Sequence, residues 1–365
     1  MFLSMKRDYT HLYRTVVGAI LACALLAPEP ATAVIPADSS AAVIFVYQHI
    51  GDDSGVRGNL SFSQFKEHID ELKKGGYNVL PLPKIVSAVR NGTHLPARTI
   101  GLTFDGAYQN TLEYAVPLLE KAHMPFTIFF ASDALDNGNR TTWNQLKKIK
   151  KDGLASFGIL PASYVHMLNR TTAQNAALLN QAIGRYREMI GGTPDFFAYP
   201  YGEFDNALKK QVAGYDFKAA FGEQSGVAYH SEDMMALPRF VMTQEYGNID
   251  RFTLTASAMP LPVSDIVPTD PAIKNNPPDI GFTITPALHD LSKLACFASD
   301  NGQLPLTRID KNRIEIRLKH PFTDRRTRIN CTLPDETFTP GQPPDWRWFG
   351  MLLTIPSIND DTGDQ

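Results

Sequence analysis

"LTFDGAYQN", Leu102–Asn110, decides how this 365-residue chain is read. An apolar run ends in one acid, Asp105, and a glycine, Gly106, follows it. The run suits a buried strand that delivers a carboxylate at its C-terminal end. The next segment, "TLEYAVPLLEKAHM", has helical spacing, and "PFTIFFA" is another buried strand. The unit is therefore strand, acid, helix, strand.

The same alternation extends both ways. Upstream, "AAVIFVYQHI" (Ala41–Ile50) is an apolar run with β-branched and aromatic residues. "FSQFKEHIDELKKGGY" puts Phe65, Ile69 and Leu72 on one helical face, with Ser63 expected as cap and Gly75 as stop. "NVLPL" predicts a short strand and "LPKIVSAVRNG" a helix. Downstream come the helix "TWNQLKKIKKDG", "LASFGIL", the long helix "TAQNAALLNQAIGRYREMIGG", the strand and turn "DFFAYPYG", the helix "NALKKQVAGY" and "KAAFG". Strands alternating with helices imply a parallel sheet. About seven such units point to a (β/α) barrel, whose chemistry sits at the C-terminal ends of strands. Asp105 and Tyr199–Gly202 fall at such ends.

Near residue 260 the texture changes. Residues 259–280, "MPLPVSDIVPTDPAIKNNPPDI", are rich in proline and polar residues and read as a linker. Beyond them six short strand patterns predict a small β-sandwich-like domain over 281–357, followed by a polar tail, 358–365. Trp346 and Trp348 alternate onto one face, with Phe349 on the other. They read either as a sugar-stacking platform or as sandwich core.

The N-terminus has Lys6, Arg7 and Arg14, then the apolar "VVGAILACALLA" and "ATA" at Ala31–Ala33. This is the pattern of a signal peptide over 1–33. The apolar stretch is short for a membrane span, and an uncleaved anchor is the alternative. Only a partial lipoprotein-like pattern surrounds Cys23. Export to the periplasm or medium would leave Cys296 and Cys331 in an oxidising compartment, as a disulfide or as two buried thiols. A formal charge of −3 and a pI of about 6.3 show no basic excess, so nucleic acid is not an expected partner. No membrane span is expected after signal cleavage.

"LTFDGAYQNTLEYAVPLLEKAHMPFTIFF" closely resembles the first motif block of the polysaccharide deacetylases, the NodB-homology or carbohydrate esterase family 4 group. "FVYQHIGDD", "FKEHIDELKKGGYNVLPL", "FFAYPYGEFD", "FKAAFG" and "LPRF" resemble the same family in order, in the branch acting on exported N-acetylglucosamine polymers. The resemblance implies a distorted NodB-type (β/α) barrel over 34–258, a divalent metal, commonly zinc, and an amino-sugar polysaccharide as partner. It also implies hydrolysis of acetamide C–N bonds, with the metal activating water and an aspartate as base.

Carried over by residue, Asp105 matches the base, and Arg239 in "LPRF" the arginine that orients it. Tyr199, Pro200, Tyr201 and Gly202 match the substrate-groove wall, where one backbone N–H would face a developing oxyanion. Gly106 falls where a metal-binding Asp is expected and supplies no ligand. The two expected His positions fall on Leu160 and Tyr164 without a gap, or on Ala162 and His166 with one. His166 is then the candidate metal ligand, against about three that a catalytic zinc needs. His230 and His289 are candidates for the acid by sequence proximity alone. A glycoside hydrolase using Glu203 and Asp205 would need both carboxylates across a cleft. The expectations are thus an exported polysaccharide deacetylase with an altered metal site, or a non-catalytic relative that binds glycan.

Overall fold

The computed structural model describes residues 36–51, 58–138, 140–285, 290–335 and 345–358, all within one contact-dense unit that begins at Pro36. The signal segment, Cys23, His289 and the tail beyond Ile358 lie outside the described residues.

Nine strands form the principal sheet: β1 (Ala42–Tyr47), β2 (Thr99–Asp105), β3 (Phe126–Phe130), β4 (Ala155–Ile159), β5 (Phe196–Ala198), β6 (Ala219–Phe221), β7 (Val227–Ala228), β8 (Phe240–Val241) and the short Asn78–Val79, which pairs with β2. From β1 to β6 the order is β1-β2-β3-β4-β5-β6, with parallel pairing throughout. Antiparallel β7 flanks β1 at its start. The segment holding β8 reaches both ends of this path. Leu237 bridges Phe221, while Phe240–Val241 pair with Phe45–Val46. The sheet therefore curls into the expected distorted barrel.

Seven helices pack on it: α1 (Phe62–Lys74), α2 (Leu82–Asn91), α3 (Gln109–Ala122), α4 (Trp143–Asp152), α5 (Thr172–Met189), α6 (Asn206–Ala213) and α7 (Ile249–Ala256). The cap of α1 is Ser61 rather than Ser63. Its hydroxyl accepts from the Gln64 N–H in a reciprocal capping box. Helix α2 packs with the barrel interior: Leu82, Ile85, Val86 and Val89 share a core with Ile44, Phe129, Phe196 and Phe221. A separate core lies between sheet and outer helices.

The C-terminal part holds two sheets. One runs in the order β9 (Met259–Pro260), β17 (Trp346–Thr354), β16 (Arg326–Pro334), β12 (Ala295–Ala298), β13 (Gly302–Leu304). The other runs β10 (Val263–Val267), β11 (Ile280–Ile284), β15 (Arg313–Ile316), β14 (Leu306–Arg308). Residues 259–280, expected as a linker, thus hold two strands. Their prolines hid the pattern, because proline sits at strand ends and edges without forbidding pairing. Trp348 is core, but of the barrel: it is 9% exposed, meets Phe240 edge-on at 5.2 Å, and donates to Asn330 Oδ1. Phe349, on the other face, packs on Phe282 inside the sandwich.

Cys296 and Cys331 face each other on adjacent strands and form a disulfide. It closes a loop with a sequence separation of 35. Reduction should lower unfolding stability by about 3–4 kcal/mol. Denaturant midpoints with and without dithiothreitol, against the Cys296→Ala/Cys331→Ala variant, check this.

Candidate functional site

Asp105 ends β2 inside the barrel mouth and is 1% exposed. Arg239 enters from the segment that closes the barrel and is 0% exposed. Nη1 donates to Oδ1 at 2.8 Å and Nη2 to Oδ2 at 2.7 Å, a two-pronged pair. Nε donates to the Gly222 carbonyl at 3.0 Å. Burial pushes the Asp105 carboxyl upward, while Arg239 pulls it down. Both expected residues are therefore brought together in one buried two-pronged pair.

The space beside Gly106, where the resemblance expects a metal-binding Asp, is taken by the Tyr108 ring. Gly106 has φ of 104°, and a Cβ there would run into the Tyr108 ring. That ring is held on two sides. His49 packs on it at 3.4 Å between centroids, and the Arg140 guanidinium lies 3.7 Å from its centre. Arg140 also donates to the Gly106 carbonyl at 2.9 Å. Burial, helped by Arg140, lowers the His49 pKa to about 4, so this imidazole is neutral at pH 7.

Leu160 and Ala162 are buried apolar residues. Tyr164 projects its hydroxyl to the Tyr201 backbone, accepting that N–H at 3.2 Å, and accepts from Gln48 Nε2 at 3.5 Å. Burial, with Glu223 and Asp105 nearby, raises the Tyr164 pKa, so the phenol stays protonated.

The groove-wall tetrad divides. Tyr199 is 0% exposed and belongs to the core, with its hydroxyl donating to the Met235 carbonyl. Pro200 is buried. Tyr201 is half-buried, holds φ of 59°, and stacks on His166 at 4.1 Å. Gly202, with φ of 71°, is needed because a Cβ would meet the Glu223 backbone.

His166 is 9% exposed and donates from Nδ1 to Glu203 Oε2 at 2.9 Å. A carboxylate only accepts, so this assigns the proton to Nδ1. Nε2 is buried with no partner. His230 lies elsewhere: it pairs with Ser40, at the start of β1, away from the strand end that bears Asp105.

Glu203 and Asp205 do not flank a cleft. Asp205 caps α6 through the Leu208 N–H. Glu203 is buried against Arg325 of the C-terminal part, at 2.9 Å and 3.1 Å. Burial works to raise the Glu203 pKa, and hydrogen bonds from His166 and Arg325 more than reverse it. Arg328 on β16 takes Glu223 Oε2 at 2.7 Å, and Arg326 lies 4.8 Å over the Tyr201 ring. These arginines were missed because their partners lie more than a hundred residues away. Glu223 was findable, since it follows "KAAFG" at the end of a barrel strand.

Tested on its donors, the site does not fit a divalent ion. Asp105 is bound by Arg239, Gly106 has no ligand, and His166 stands alone. Among the described residues no three His, Cys, Asp or Glu side chains converge for a metal.

Residues 92–220 match the model of the polysaccharide deacetylase family. YxkH of Bacillus subtilis is 22% identical over 197 residues, 54% of this chain and 69% of its own. The poly-beta-1,6-N-acetyl-D-glucosamine N-deacetylase of Escherichia coli K12 is 22% identical over 222 residues, 49% of this chain and 33% of its own. A Streptococcus pyogenes deacetylase solved with acetate superimposes with a TM-score of 0.56 at 17% identity, covering 60% of this chain and 99% of that one. Within the barrel, residues 92–220 are thus similar to the polysaccharide deacetylase family, and the fold is the one its motifs implied.

Two outcomes follow. Gly106→Asp should cost about 1–3 kcal/mol through its positive φ and the Tyr108 clash, and Gly106→Asp/Tyr108→Ala should cost less than the sum of the single changes. Urea denaturation of the four-member cycle measures the coupling. Glu203 has a lowered pKa in the folded protein, so its contribution is present above the ordinary value of 4.5 and is lost as pH falls through the folded value. Glu203→Gln should therefore be less stable than wild type by about 3–5 kcal/mol at neutral pH, with the gap closing in acid. Denaturant midpoints across a pH series check it.

Proposed function

We propose that this protein is an exported glycan-binding relative of the polysaccharide deacetylases, which holds an amino-sugar polymer at the barrel mouth without hydrolysing it by the family's metal route. The observation that carries the reading is the pair of tyrosines in the site. Tyr108 fills the space beside Gly106, and Tyr164 takes the Tyr201 N–H that would face an oxyanion. The donors that remain do not make a zinc site. That the Escherichia coli relative is a poly-beta-1,6-N-acetyl-D-glucosamine N-deacetylase supports the class of ligand. Half-buried Tyr164, whose ring meets Tyr201 edge to face, offers an aromatic surface of the kind that packs on sugar rings. The signal-like N-terminus and the disulfide support an exported protein.

One observation favours a hydrolase instead: the Asp105–Arg239 pair is intact. Calorimetry with β-1,6-linked amino-sugar oligomers, run beside an acetate-release assay with added zinc, separates the two. We expect binding without acetate, and Tyr201→Ala should weaken binding by roughly tenfold, about 1.4 kcal/mol. Zinc-stimulated acetate release by the wild type would replace this reading with the hydrolase.

A further inference from the structure

The end of the barrel remote from Asp105 carries two adjoining cavities. Asp105 ends β2, whereas Ala155 and Phe196 begin β4 and β5, and in a parallel sheet those starts lie at the opposite end. The larger cavity, about 250 Å³, is lined by these strand starts and by α4 and α5. Phe157 and Phe196 give it apolar surface, and Lys150, Ser156, Tyr186 and Asp195 bring polar atoms to its wall. The smaller, about 150 Å³, sets Tyr215 and Phe217 beside Arg187 and Asp216. Thr193 is exposed and lines both.

Tyr186 is the telling residue. It is 8% exposed, and its ring stacks on Phe130 at 6.0 Å. A phenylalanine would make the same stack. The hydroxyl adds nothing to it and has no hydrogen-bond partner among the described residues. Burial, with Asp195 nearby, pushes the phenol up to about 12, so the group stays a donor at neutral pH. Its neighbours keep free capacity as well. Ser156 Oγ shares one bond with Thr127 Oγ1 at 2.7 Å, Lys150 Nζ gives one of its three protons to the Ile190 carbonyl at 2.7 Å, and Asp195 takes Lys218 on Oδ2 at 2.8 Å, leaving Oδ1 open. An unused hydroxyl on a side chain this deeply buried asks for an explanation, and a ligand in the cavity it lines supplies one. Each cavity sets one cation against one carboxylate, Lys150 with Asp195 and Arg187 with Asp216, so neither selects a charged ligand.

We propose that this groove is a second glycan site, which takes two consecutive neutral sugar units, one per cavity, with the Tyr186 hydroxyl as donor and Asp195 Oδ1 as acceptor in the larger one. A pyranose has an apolar C–H face and a rim of hydroxyls that both donate and accept, which match the phenylalanine surfaces and the mixed polar wall. Each cavity lies below the size range of drug-sized ligand pockets, which suits a single ring. The wall they share at Thr193 makes a linear chain the fitting occupant rather than two separate molecules. The groove goes beyond the glycan-binding reading of the mouth and uses none of its residues. Sites at both ends of one barrel raise the apparent affinity for a long polymer without any new contact.

The test is calorimetry on the full chain with a β-1,6-linked N-acetylglucosamine oligomer, for the wild type, Tyr186→Phe, Thr193→Trp and Tyr201→Ala. The wild type should bind at two sites per chain. Tyr186→Phe should weaken one of them by about threefold to tenfold while leaving the denaturant midpoint unchanged, since the hydroxyl holds nothing in the fold. Thr193→Trp, at an exposed position, should weaken the same site by more than about tenfold by filling the shared wall. Tyr201→Ala should leave that site as it is. Groove variants that both bind like the wild type overturn the inference and leave the reading of the mouth standing. Tighter groove binding of the same oligomer fully de-N-acetylated overturns the neutral-sugar assignment. Binding that responds to Tyr186→Phe and Thr193→Trp but not to Tyr201→Ala supports the groove and overturns the reading of the mouth. No binding by the wild type overturns both.

Discussion

The buried pair of Asp105 and Arg239 governs the upper half of the barrel. Both charges are out of water, so each is tolerable only because the other is there with good geometry. The pair also determines the chain path. Arg239 sits between Leu237, which bridges β6, and Phe240, which pairs with β1. Its remaining nitrogen holds the carbonyl of Gly222. The last segment of the barrel is thus pinned by one side chain to the strand that carries the acid. Removing the arginine would leave a lone carboxylate at the centre of the closure.

Above that pair, the positions where the resemblance expects ligands border filled space rather than a hole. Interiors are close-packed, and a void loses contacts outright. Tyr108 and Tyr164 supply the volume, and His49, Arg140 and Gln48 hold them in place. The C-terminal sheets then close around the site. Arg325 and Arg328 reach Glu203 and Glu223, and Trp348 enters the barrel core. A Cβ on Gly350 would strike the Ser225 carbonyl, so β17 lies directly on the barrel backbone. The C-terminal sheets are part of the site's wall.

How much of this was open to sequence reading depends on the range of each interaction. The βα alternation is local, and it led to the barrel and the strand end at Asp105, while Arg239 was reached only through the family resemblance of "LPRF". The two cysteines, few and of even number, pointed to each other. Tyr199 and Tyr201 could not be separated from sequence, since one residue's turn sends one ring into the core and the other to the surface. The strands at 259–267 were hidden by proline. The arginines of "DRRTRI" have no local signal at all, because their carboxylates come from another part of the chain. Sequence reasoning follows periodicity well and distant charge pairing badly.

Tyr164 shows why such a site changes as a set. A phenol kept protonated by burial accepts the Tyr201 N–H, and its ring braces the Tyr201 ring edge to face. Tyr201 in turn keeps its left-handed backbone, a conformation a bulky residue holds only when its surroundings impose it. Stacked on Tyr201, His166 has its ring orientation set from one side by the tyrosine and from the other by Glu203 and Arg325. A histidine placed at 164 would therefore release Tyr201 and loosen His166 before it could act as a ligand. The aromatic wall, the buried ion pairs and the C-terminal arginines are mutually dependent, and the barrel mouth can change function only by moving several of them together.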